Sequence, residues 1–109
     1  MNGADIDEIE LKLGIQLPSD YRQFMIAGHG KTMSGILDDV HEIISANQRN
    51  RHMSWLGRSL DPVFYIFAID EAGREIFMDL DVPGPVIMAA DYERKRGAVL
   101  ARNFHDWVS

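Results

Sequence analysis

Three apolar stretches, Val63 to Ile69, Glu75 to Leu80 and Val86 to Ala90, follow one another with only five residues in each gap. The first is an unbroken run rich in β-branched and aromatic residues, the second alternates, and the gaps carry Asp-Glu-Ala-Gly-Arg and Asp-Val-Pro-Gly-Pro. These are strand and turn signatures. A parallel crossover needs a dozen or more residues, so gaps this short allow only an antiparallel meander. Val99 to Ala101 adds a brief fourth strand, and Asn103 is placed to cap a terminal helix carrying Phe104, Trp107 and Val108.

Helices precede the strands. Ile6, Ile9 and Leu13 recur at helical spacing with charged residues between them, and Gly14 stands where a C-terminal cap belongs, which predicts a helix from Ile6 to Leu13. Pro18 keeps Leu17 extended, Ser19 is expected to act as N-cap, and Tyr21, Phe24 and Met25 form the apolar stripe of a second helix ending at Gly28-His29-Gly30. Tyr21 and Phe24 are therefore expected in the core. Thr32 to Leu37 reads as a short strand and Asp38 to Asn47 as a helix with two acids at its positive end. Asn47 to Asp61 shows no clean period and is expected to be irregular, with Trp55 and Leu56 tucked onto the core. Helices first and strands later is the α+β order.

No long repeat, low-complexity tract or linker divides the 109 residues, which predicts one domain over 1–109. Area scaling at 12.4 kDa gives roughly 18,000 Å² of unfolded surface against roughly 6,100 Å² folded, enough burial for a core without staples. The absence of cysteine excludes disulfides, thiol nucleophiles and thiolate metal sites, and suits a reducing compartment. The opening MNGADIDEIE is acidic where a signal peptide is basic and then apolar, and no run reaches the ~18 apolar residues of a membrane span, so the expectation is a cytoplasmic protein with no membrane contact. A net charge of −6 argues against direct nucleic-acid binding, which needs clustered Lys and Arg.

The run from Ile9 to Met25, with Leu17-Pro18-Ser19-Asp20-Tyr21-Arg22-Gln23-Phe24 at its centre, resembles the opening of the SUKH superfamily, the Smi/Knr-like proteins. Phe67-Ala68-Ile69-Asp70, Gly73 and Ile76-Phe77-Met78-Asp79-Leu80 are similar to the family's central hairpin, and Asn103-Phe104-His105-Asp106-Trp107-Val108 to its closing element. The sequence departs from the family pattern at Gly28-His29-Gly30 and in having one Gly between Asp70 and Arg74. The resemblance implies helices packed on an antiparallel sheet and a non-catalytic binding role. Bacterial members resemble immunity proteins that neutralise a cognate polymorphic toxin, often a nuclease or deaminase, and fungal relatives resemble regulatory scaffolds, which is the alternative reading.

Candidate chemistry is thin. Asp38, Asp39, His41 and Glu42 fall within about one helical turn, but only Asp38 and Glu42 share i, i+4 spacing, His41 points aside, and helix-start acids already serve the macrodipole. No serine lies in a nucleophile elbow, and His29-Gly30-Lys31-Thr32 lacks the first glycine of a phosphate loop. The expectation is no enzyme activity, no cofactor and no metal. Arg49, Arg51, His52 and Arg58 around Trp55 suit stacking and phosphate contacts, yet in an acidic chain they read better as a solvated loop. The acids are more informative: residues 61–93 hold eight acids against one Arg. The meander should bring Asp70, Glu71, Glu75, Asp91 and Glu93 to one edge, opposed only by Arg74, as a surface for a basic protein partner. Those six residues are the predicted partner-binding site, with the Arg49 to Arg58 loop as the alternative surface.

Overall fold

In the computed structural model, which describes residues 1–31 and 33–109, helix α1 spans Gly3–Leu13. It begins ahead of the expected Ile6 because Asn2 and Asp5 form a capping box: the Asn2 side chain accepts the Asp5 amide at 2.9 Å and Asp5 accepts the Asn2 amide at 3.1 Å. Ile6, Ile9 and Leu13 form its buried stripe and Gly14, at φ 67°, closes it. Helix α2 spans Ser19–Ile26, and here the capping expectation fails: Pro18 occupies the N-cap position and no side chain caps the helix. Glu10 compensates from the neighbouring helix, accepting the Leu17 amide at 2.8 Å and a hydrogen bond from Arg22, which also reaches Asp7 at 3.2 Å.

Tyr21 is fully buried, as expected, whereas Phe24 is half-buried. The Tyr21 and Tyr65 hydroxyls lie 2.7 Å apart, and burial drives both pKa values upward, so the pair stays protonated. Tyr21 also meets Phe67 and Phe104 edge-on at centroid distances of 5.9 and 5.4 Å.

Helix α3 spans Val40–His52, capped by Asp39 through the His41 and Glu42 amides. It continues well past the expected end at Asn47, through residues read as irregular. The apolar period vanishes there because the inward positions are polar and hydrogen-bonded. Asn50 donates to the Ala46 carbonyl at 2.6 Å, and Arg51 to the Leu13 carbonyl at 2.7 Å. Arg49, Arg51 and His52 also stand in the last turn, where the helix dipole favours cations.

Strands β1 (Phe64–Ile69), β2 (Glu75–Asp79), β3 (Ile87–Asp91) and β4 (Arg96–Ala101) form the antiparallel meander in the order β1-β2-β3-β4, and α4 spans Phe104–Val108 with Asn103 as its cap. The fourth strand is twice the expected length. The accessible surface is 6210 Å². One sheet face, with Tyr65, Phe67, Ile76, Met78, Ile87 and Ala89, packs on α1, α2, α4 and the first half of α3. The other carries Ile66, Phe77 and Ala90 under Trp55, Leu60 and Ala46. Trp55 is buried as expected; Leu56, at φ 50°, is half-buried.

The outer edge of β1 is closed by other parts of the chain. Asn47, fully buried on α3, donates to the Ile66 carbonyl at 2.9 Å and accepts the Ile66 amide at 2.8 Å, while also donating to Ile43 of its own helix. Further along, Leu37 donates to the Phe67 carbonyl and Ile69 to that of Gly35, at 3.0 and 2.9 Å. Gly35 is required there: at φ 92°, a Cβ would stand 2.6 Å from the Ile69 carbonyl oxygen. The expected strand over Thr32 to Leu37 thus reduces to one bridge, Ile36 to Ala68; Thr32 lies outside the described residues.

Replacing Asn47 by Leu leaves two buried Ile66 backbone groups without partners, at ~1–3 kcal/mol each. Asn47→Leu should therefore lower stability by about 3 kcal/mol, read as a lower urea midpoint with an unchanged slope. An unmoved midpoint would mean that the edge does not need the amide.

Candidate partner-binding surface

The sheet register gathers the predicted acids. Ile69 pairs with Glu75 and Asp91 with Arg96, so the β1–β2 turn and the β3–β4 turn lie at the same end of the sheet. Their side chains are not equivalent. Asp70 builds its turn: one carboxylate oxygen accepts the Ala72 and Arg74 amides at 3.0 and 2.8 Å, and the other accepts Arg74 Nε at 2.7 Å. These contacts, the Arg74 amide first, hold its pKa below the usual aspartate range. Asp91 does the same work in the second turn, accepting the Arg94 amide at 3.2 Å with the Arg94 guanidinium 3.9 Å away.

Glu75 is half-buried. The Trp55 indole N–H points to its carboxylate at 3.4 Å, and Arg49 supplies favourable charge. Burial still outweighs both and raises its pKa. Glu71 and Glu93 are exposed and have no hydrogen-bond or ion-pair partner among the described residues. Asp70, Glu71, Arg74, Glu75, Asp91 and Glu93 therefore share one end of the sheet, but Asp70, Arg74 and Asp91 are committed to turn geometry. Arg74 is also not the sole opposing cation, since Arg94 pairs with Asp91 and Arg49 acts on Glu75.

The alternative surface divides. Arg49 and Arg51 belong to α3, while Trp55 is buried against Phe77 and Phe64, at centroid distances of 5.0 and 6.1 Å. Its ring is thus a core element and offers no stacking face. A backbone bridge joins Trp55 to Arg58, whose guanidinium lies 5.9 Å over Phe64.

An open groove of about 760 Å³ lies on the opposite side, between Ile15 to Pro18 and the β2–β3 loop with Val82, Pro83 and Pro85; Asp20 and Asp81 are its acidic lining residues. Sequence reasoning missed it because each wall read as an ordinary loop; the prolines flanking both walls were the available signal. Near α3, Asp39 is consumed as a cap and one oxygen of Asp38 is buried without a hydrogen bond. Among the described residues no three His, Cys, Asp or Glu side chains form a group able to hold a metal, and no helix is long and apolar enough to cross a membrane.

The raised Glu75 pKa fixes the sign of a pH effect. The unfolded chain releases this proton first, so the side chain costs stability as pH rises past the ordinary glutamate value. Glu75→Gln should have a higher urea midpoint than the parent at neutral pH, and the gap should close below about pH 3, where both states are protonated. A gap that persists in acid would assign the effect to packing.

Compared with known proteins, the chain matches the family model described as SMI1 / KNR4 family (SUKH-1) over residues 2–109. No curated protein and no solved structure matches it.

Proposed function

Because this chain belongs to the SMI1 / KNR4 family (SUKH-1) over residues 2–109, we propose that it is a non-catalytic immunity protein that acts in the cytoplasm, occluding the active cleft of a cognate bacterial toxin. The observation that carries the reading is the end of the sheet that Glu71 and Glu93, exposed and without partners among the described residues, share with the half-buried Glu75. Carboxylates gathered at one end of a sheet without full neutralisation are stabilised by an incoming cationic surface, and a nuclease or deaminase cleft provides one. Asp70, Arg74 and Asp91 hold the two turns that present those glutamates, so the six residues act as one surface with two kinds of task. Inhibition is steric and electrostatic: the partner's cleft is covered, and no bond in this chain is made or broken. An interface of this kind buries on the order of 1,600 Å² in total.

The choice of variants follows from the division of labour. Reversing Asp70 would break a turn, whereas Glu71→Lys with Glu93→Lys changes charge alone and should move stability by no more than ~0.5 kcal/mol. Against a cognate toxin domain, the double variant should associate more slowly, show a weaker salt dependence and lose protection in cells. Unchanged association and full protection would remove the acidic end from consideration.

A further inference from the structure

The two edges of the sheet are treated differently. The β1 edge is closed by Asn47 and by the Gly35 to Leu37 segment, whereas among the described residues no backbone hydrogen bond leads from β4 to any element other than β3. The open edge is apolar along its length and basic around it. Val99 and Leu100 are 68% and 44% exposed, and Tyr92, in the preceding turn, is 48% exposed. Arg94, Lys95, Arg96 and Arg102 flank them; Glu93 is the one acid of the preceding turn, and residues 96–102 contain none. Arg94 and Arg102 have ion-pair partners in Asp91 and Asp106; Lys95 and Arg96 have none among the described residues.

We propose that β4 is a docking edge for an extended, acidic segment of a partner protein, which adds as a fifth strand. An open row of backbone donors and acceptors supplies affinity for any strand, and the side chains beside it choose which strand. A second copy of this chain is disfavoured by charge. Antiparallel self-pairing centred on Val99 places Arg96 opposite Arg102, and a one-residue slip toward the β3–β4 turn places Lys95 opposite Arg102. A strand bearing Glu or Asp at alternate positions reverses that sign and lays its apolar residues against Val99. This surface goes beyond the toxin-occluding reading and does not depend on it, because the acidic end calls for a basic partner and β4 for an acidic one.

The test uses the full chain with two synthetic eight-residue probes of alternating Val and Glu or alternating Val and Lys. Binding is followed by titration, and the site by amide shifts in NMR. The acidic peptide should bind at least about tenfold more tightly than the basic one, weaken with added salt and shift the Arg96 to Ala101 amides. Arg96→Glu with Arg102→Glu, both exposed positions, should invert the preference. Equal binding of the two peptides, shifts centred elsewhere, or a concentration-dependent dimer of the chain alone that masks the β4 amides would each overturn the proposal. Should the double variant fail to fold, the two peptide arms on the parent chain and the amide map still decide.

Discussion

A single carboxamide, that of Asn47, settles how the helical and sheet parts of this protein meet. Its donor and acceptor take the two backbone groups of Ile66 that point away from β2, so a side chain on a helix stands in for one residue of a neighbouring strand. The geometry places α3 along the edge of the sheet. Ile43 and Ile44 therefore enter the core on one face, while Ala46 enters the core on the other. A buried amide is costly when unpaired, and here Ile43 takes its remaining donor contact, which removes that cost. Two cores on opposite faces of one sheet are joined at this point.

The helices on the larger face are organised by a second polar contact of the same kind. Glu10 holds the Leu17 amide and the Arg22 side chain, so the segment entering α2 is anchored to α1 in place of a capping side chain. That anchoring aims Tyr21 at Tyr65, and the aromatic group of Tyr21, Phe67, Phe104 and Trp107 fills the space between helices and strands. In both places a polar group sets direction and apolar area supplies the driving force.

Charge on the surface has the same double character. Asp70 and Asp91 accept backbone amides and shape the turns, while Glu71 and Glu93, one and two residues further along, remain exposed and unpaired. A count of acids does not distinguish these roles, because both kinds raise the local negative charge. Only those free of structural contacts can be reassigned without disturbing the fold. Similarly, Lys95 lies with its aliphatic stem against Gly57, tying the β3–β4 turn to the Trp55 loop, and still brings its charge beside β4.

Much of the architecture was legible in the residues. The five-residue gaps dictated an antiparallel meander, the period of Ile6, Ile9 and Leu13 located α1, and Asn103 marked the start of α4, since each of these signals is local and repeats with the element it specifies. Membership of the family, too, followed from the order of such local signals. What the tertiary structure alone decided lies where polar residues replace apolar ones in the packing. Past Asn47 the inner side of α3 carries amides and an arginine that pair with a strand edge, a carbonyl and their own helix, so hydrophobic periodicity stops while the helix continues. The opposing bases at the acidic end and the contrast between a closed β1 edge and an open β4 edge were likewise unreadable in sequence. Each depends on which distant segments come to lie side by side, and a pattern confined to one segment carries no record of its neighbours in space.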